Sequence, residues 1–348
     1  MMAAKTQSPD VTLSPVQLLS IDLGRTSTKA CISRDPEQVV LIPANVQHLS
    51  VEEVRRGAFE TQSSDPLLDM WLEYQGSGYA VGQLAADFKA GLGVGQSKVT
   101  DALIKVFASV GYFRISGEFP LVLGIPYLSQ DQFDKEKNQI TSLLQGHHQM
   151  IYRGDPVDFT LTKVWVMPEG YGSLLWEESQ ETQDKFKSIS VAVVDIGHQT
   201  TDFLMVDRFR FARGVSSSQE FAMSQFYEQV ANQIEGADSQ SLSLIEAVHR
   251  PKGKRFFRPQ GALKPTDLDD ILPPLRRSFA RELTNRLIAW LPERATDVII
   301  TGGGGDFFWE DLAELLEEAS LTCHRCVPSR KANVLGQFVY GELQLISG

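Results

Sequence analysis

Two stretches of the chain, VQLLSIDLGRTSTKA from Val16 and SISVAVVDIGHQTTDFLMV from Ser188, follow one plan: an apolar run, an Asp-x-Gly turn, then a hydroxyl-rich second run. Short apolar runs bounded by a glycine turn read as buried strands, so each stretch predicts a hairpin. A chain of 348 residues also exceeds the roughly 250–300 residues at which a single core stops growing. Duplication and length together predict an α/β protein of two lobes with a cleft between them.

The turns carry chemistry. In Asp22-Leu23-Gly24-Arg25-Thr26-Ser27-Thr28-Lys29 the glycine permits a tight turn, and backbone N–H groups and hydroxyls offer donors to phosphate oxygens. Lys29 adds a point charge. Asp22 suits a hydrated divalent cation that accompanies phosphate, because magnesium prefers oxygen ligands and keeps several waters. Alone, this turn equally fits any antiparallel hairpin with Lys29 in solvent. The second copy, with Asp195, Gly197, Thr200 and Thr201, favours two hairpins gripping one phosphate chain from opposite sides.

The rest of the chain reads in periodic segments. Residues 50–95 are irregular, with a strand-like piece at Tyr79–Val81, and suggest a small inserted subdomain. Val99, Leu103, Val106, Phe107 and Val110 recur at helical spacing. Phe119–Ile125 reads as a core strand, 131–144 as a helix, 160–167 as a strand leading into MPEGYGSLL, and 171–178 as a helix. Helices are expected at 219–234, 242–249 and 275–290. Strand 297–300 runs into Gly302, Gly303, Gly304 and Gly305, expected as a flexible turn before an acidic amphipathic helix at 310–319. Successive glycines admit a flat base or ribose close to the backbone, and also serve as a plain strand-to-helix turn. A last helix at 333–345 is expected to dock on the body.

Composition narrows the function. A net charge of -11 repels a phosphate backbone, so direct nucleic-acid binding is disfavoured and any DNA link requires a basic adaptor. Three cysteines are too few for a disulfide scaffold and fit a reducing cytoplasm. No apolar run reaches membrane-spanning length, so no membrane association is expected, and residues 1–15 read as a disordered tail. Cys323-His-Arg-Cys326 lacks the second pair of a zinc site and reads as structural. The segment 250–258 combines Lys252, Lys254, Arg255 and Arg258 with Phe256 and Phe257; a solvated loop, nucleic acid, an acidic partner and a neighbouring subunit all remain open. The glycines match neither a P-loop nor a dinucleotide fingerprint.

The ordered set IDLGRTSTK, VMPEGYGSLL, VVDIGHQTTDF and VIITGGGGDFF resembles the phosphate-1, connect-1, phosphate-2 and adenosine motifs of the actin superfamily. The first loop and MPE are most similar to the ParM/StbA plasmid-segregation actins. The resemblance implies two RNase-H-like lobes around a nucleotide cleft with small inserted subdomains: lobe I at 16–188 (insert roughly 45–97), lobe II at 189–330 (insert roughly 218–280), and a C-terminal helix at 331–348 returning to lobe I. It implies ATP, with GTP as an alternative, and magnesium organised by Asp22 and Asp195 through water. Gly24, Arg25, Thr26, Ser27, Thr28 and Lys29 would hold phosphates, as would Gly197, His198, Gln199, Thr200 and Thr201. Gly302–Gly305 would border the base, and Glu169 would orient the attacking water. His198 and Gln199 depart from the Gly-rich form of phosphate 2, leaving His198 either on phosphate or in solvent. The implied function is a dynamic ATPase filament for plasmid segregation through a basic DNA-binding adaptor. A non-polymerising kinase of the same superfamily and a bacterial scaffold ATPase are the alternatives.

Overall fold

The computed structural model describes residues 17–56, 63–91, 99, 101–181 and 185–347; the expected disordered tail lies outside them. In chain order the first half contains β1 (Leu19–Leu23), β2 (Ser27–Cys31), β3 (Val40–Pro43), β4 (Val46–Leu49), α1 (Val51–Arg56), β5 (Met70–Tyr74), β6 (Ser77–Val81), α2 (Gln83–Asp87), α3 (Ala102–Phe113), β7 (Gly117–Ile125), α4 (Gln130–Leu144), β8 (Gly146–Tyr152), β9 (Asp155–Pro168) and α5 (Tyr171–Gln180). The second half contains β10 (Ser190–Ile196), β11 (Thr201–Asp207), β12 (Arg210–Phe211), β13 (Ser217–Gln219), α6 (Met223–Ala231), α7 (Leu242–His249), β14 (Phe256–Phe257), β15 (Thr266–Asp267), α8 (Leu272–Trp290), β16 (Asp297–Thr301), α9 (Gly302–Glu318), β17 (Thr322–Arg325) and α10 (Ser329–Ser347).

The duplication is topological. One sheet runs β3-β2-β1-β7-β9-β8-β5-β6-β4, the other β12-β11-β10-β16-β17 with β13 also on β11. In each, the first hairpin strand pairs antiparallel with its partner (β1 with β2, β10 with β11) and parallel with a later strand (β7, β16). The outer pairings also correspond: β2–β3 and β11–β12 are antiparallel, β7–β9 and β16–β17 parallel. Parallel strands covered on both faces need continuous apolar runs, and β1 and residues 119–125 of β7 are buried throughout. Residues 45–97 contribute β4, β5 and β6, which extend the first sheet beyond β8.

Three hydrophobic clusters hold these layers. One packs α3 and α4 on the first sheet, a second packs α6–α9 on the second sheet. The third, including Val122, Met167, Leu174, Trp176, Val193, Leu204, Ile299, Leu335 and Phe338, fills the space between the sheets with α5 and α10. These two helices approach at backbone distance: a Cβ on Gly336 would overlap the Gly172 carbonyl.

Two expectations require correction. Gly302–Gly305 form the first turn of α9, not a flexible turn ahead of it. Glycine is a poor helix former, but a Cβ at Gly302 would collide with Asp195 Oδ1 and one at Gly304 with the Ile196 side chain, so packing decides. The helix expected from Gln219 starts at Met223, because Gln219 pairs with Thr201 in β13 and Gln225 Oε1 accepts the Ala222 N–H at 3.0 Å. No helix among the described residues is long and apolar enough to cross a membrane.

Candidate functional site

The β1–β2 turn closes through Gly24 N–H, which donates to the Asp22 carbonyl at 3.0 Å. A Cβ on Gly24 would strike the Ser27 carbonyl and stand 2.8 Å from Lys29 Nζ, so the turn requires glycine. Asp22 and Lys29 are direct cross-strand partners, which places both side chains on one face, and Lys29 Nζ donates to Asp22 Oδ2 at 2.9 Å. Burial opposes the Lys29 ammonium, but Asp22, followed by Asp195 and Glu169, outweighs it and holds its pKa above the ordinary lysine value.

The second hairpin repeats this geometry with a different pair. Gly197 N–H donates to the Thr200 carbonyl at 2.9 Å, and Asp195 stands directly opposite Asp202. Both residues line the cavity. Thr200 Oγ1 contacts Asp202 Oδ2 at 3.4 Å.

Glu169 directly follows β9 and sits where the two halves meet. Its N–H donates to the Ile125 carbonyl at 2.9 Å, and the residue is buried. Gly170 follows at φ +83, where a Cβ would lie 3.5 Å from Asp195 Cβ. The glycine therefore lets the Glu169 segment rest directly against the second hairpin.

Asp22, Gly24, Arg25, Thr26, Ser27, Lys29, Glu169, Asp195, Gly197, His198, Gln199, Thr200, Gly303 and Gly304 line one cavity of about 980 Å³. Thr28, Thr201, Gly302 and Gly305 stand behind its wall. The Thr28 side chain is buried, Thr201 Oγ1 donates to the Phe221 carbonyl at 2.6 Å, Gly302 lies under Asp195, and Gly305 packs near Ile300. Ser27 Oγ and Thr28 Oγ1 are buried without a hydrogen-bond partner among the described residues.

The cavity continues past the glycine turn to residues that local motifs did not reveal. Tyr227 on α6 and His249 on α7 place Oη and Nε2 2.7 Å apart. Phe307 stands 5.1 Å from the His249 ring, and the Arg276 guanidinium lies 5.2 Å from Phe307. His198 is partly buried with its ring 5.8 Å from Tyr227, and burial lowers its pKa. His249 opens to the cavity, yet desolvation by the surrounding protein, with the charges of Arg330 and Arg255, pulls its pKa down to about 4. Arg255, from the basic segment, lines the cavity and pairs with Asp269 at 3.3 Å. The Cys-x-x-Cys segment lies in and just after β17: His324 Nε2 sits 2.8 Å from Asp297 Oδ1, Cys326 Sγ contacts the Ser173 carbonyl at 3.5 Å, and burial pushes Cys323 up to about 12.

A duplicated five-strand sheet plan, two Asp-x-Gly hairpins on one cavity, and a glycine helix start against the second of them make up an actin-like fold, with an actin-like N-terminal and an archaeal MreB-like C-terminal domain. Sequence profiles agree: residues 20–172 match the N-terminal domain of actin-like proteins, and residues 193–314 the C-terminal domain of the archaeal actin homologue, MreB-like family. Nothing among curated protein sequences matches the chain significantly. Among solved structures, the archaeal actin homologue Ta0583 in complex with ADP is similar at TM-score 0.73 and 18% identity, covering 94% of this chain and 99% of its own. The actin-like protein Alp7A is similar at TM-score 0.73 and 18% identity, covering 95% and 97%. A ParM from Clostridium botulinum, in a 15-stranded filament, is similar at TM-score 0.70 and 17% identity, covering 94% and 99%.

Proposed function

We propose that this chain binds ATP, or GTP, with magnesium in the cavity, hydrolyses it, and assembles into filaments whose turnover follows hydrolysis. The carrying observation is the meeting of Asp22, Asp195 and Glu169 around Lys29, supplied by both hairpins and the end of β9 in one cavity. Magnesium keeps several of its waters and is held by one or two carboxylates plus phosphate, a set that Asp22 and Asp195 would supply. When bound, magnesium would neutralise charge on the transferring phosphoryl group.

In this reading Asp22 and Asp195 orient the cation's waters, while Gly24, Arg25, Thr26, Ser27 and Lys29, with Gly197, His198, Gln199 and Thr200, hold phosphate oxygens. Glu169 accepts a hydrogen bond from the attacking water and directs it, consistent with a reaction that needs mainly positioning. Gly303 and Gly304 border the base or ribose. The lobes divide between residues 188 and 189, so nucleotide closes one half on the other and favours the assembling conformation. Open head-to-tail contacts then generate a polymer. Filament structures of similar folds, the ParM above and Alp12, support self-association. Plasmid segregation in the cytoplasm through a basic DNA-binding adaptor is the role we assign.

Light scattering and phosphate release, followed together after ATP and magnesium are added, test this reading. Wild type should assemble above a critical concentration and then disassemble; Glu169→Ala should assemble and persist, with phosphate release reduced roughly 100-fold or more. Nucleotide binding without assembly at any accessible concentration would turn the assignment to a kinase or scaffold.

A further inference from the structure

α10 carries three buried polar side chains one turn apart, Ser329, Asn333 and Gln337, at 2%, 5% and 0% exposure. Residues at i, i+4 and i+8 share a helix face, and a core helix would ordinarily fill that face with apolar groups. Buried polar groups are costly unless hydrogen-bonded, and each of these three bonds to backbone next to a residue that lines the cavity.

Ser329 Oγ donates to the Gly302 carbonyl at 3.0 Å, at the start of the glycine turn. Asn333 Oδ1 accepts the Gly170 N–H at 3.1 Å, next to Glu169. Gln337, its amide oriented by its neighbours, donates to the Ile21 carbonyl at 3.0 Å, beside Asp22. Its oxygen accepts the Gly124 N–H at 3.3 Å and Asn333 Nδ2 at 3.2 Å. Gly124 lies against Glu169: a Cβ there would come within 3.4 Å of Glu169 Cγ. One rigid helix thus holds the backbone beside Asp22, beside Glu169 and under the glycine turn.

From this geometry we infer that the Ser329–Asn333–Gln337 ladder is a positioning device for the reaction. Asn333 fixes the Glu169–Gly170 turn, and Gln337 ties that turn to the strand carrying Asp22. The ladder touches backbone rather than ligand, so its effect passes through Glu169. The inference rests on the hydrolytic reading above and predicts a split that stability alone does not produce: loss of the Asn333 acceptor slows turnover more than it weakens nucleotide binding.

The test compares full-length wild type, Asn333→Leu, Asn333→Asp and Glu169→Gln for single-turnover phosphate release, ADP–magnesium affinity and melting temperature. Asn333→Leu is expected to slow release roughly tenfold with ADP affinity changed less than about twofold. Asn333→Asp keeps an acceptor for Gly170 N–H and should recover much of the rate. Should Asn333→Leu fail to fold, Gln337→Met, which removes the link to Asn333 and Ile21, is expected to show the same split. Equal loss of rate and affinity, or an unchanged rate in a folded variant while Glu169→Gln is inactive, overturns the ladder alone. A wild type that binds nucleotide yet releases no phosphate overturns both readings.

Discussion

Cross-strand position decides the charge balance of the cavity residue by residue. Opposite Asp22 the chain places Lys29, and opposite Asp195 it places Asp202, and the Lys29 ammonium is favoured by Asp195 of the second hairpin as well as by Asp22 of its own. The Lys29 pKa is raised, so its contribution to stability is complete below 10.5 and lost only as pH rises through the folded-state value. Across neutral pH it is constant. His249 works in the opposite sense: its folded-state value of about 4 lies below the ordinary 6.5, so the unfolded chain takes up a proton first. Its contribution is therefore full above about 6.5 and is lost as pH falls toward 4. Urea midpoints measured from pH 7 to pH 4 should fall, and His249→Gln should flatten that slope; an equally steep slope in the variant would assign the acid sensitivity to other groups. The hairpin residues were legible because Asp-x-Gly, hydroxyls and a following lysine lie in one local string. Tyr227, His249, Arg330 and Asp202 were not: the first three come from separate helices, and no local pattern tells which face of a helix meets a cavity.

Among the elements, periodicity identified those with a sustained apolar face, and α7 has the bounds expected from its spacing. The short strands β12–β15 escaped because two or three residues show no alternation. β8, with the polar start Gly146-His147-His148-Gln149, gains its strand state from pairing with β9, a tertiary cause invisible to propensity. The glycine start of α9 is the same lesson: its helical state comes from the approach of Asp195 and Ile196. The α5–α10 crossing extends that logic to stability. Gly336 faces the Gly172 backbone, which cannot rotate aside, whereas a Cβ on Gly341 would meet the side chains of Leu18 and Val122, which can. Gly336→Ala should therefore lose about 1–3 kcal/mol in denaturant unfolding with an unchanged m-value. Gly341→Ala should lose less, and the reverse order would refute close helix approach as the cause.

At the scale of the whole molecule, the duplicated sheet plan has a consequence for ligand binding. The cavity draws on both halves, β1–β2 with Lys29 from one and β10–β11 with Asp195 and Asp202 from the other, and α5 and α10 fill the core between the sheets. A nucleotide held by only one hairpin would leave the other as open to solvent as before. One held by both must restrict them together, because a ligand that binds only the folded, closed arrangement stabilises it in proportion to occupancy, about 2.7 kcal/mol at 100 times Kd. Hydrogen–deuterium exchange with and without ADP and magnesium distinguishes these cases. Two-sided binding predicts slowed exchange in both 22–29 and 195–201, with the thermal midpoint rising with ligand concentration. Protection confined to 22–29 would mean that the second hairpin contributes no grip, and that the sheet duplication serves folding rather than nucleotide closure.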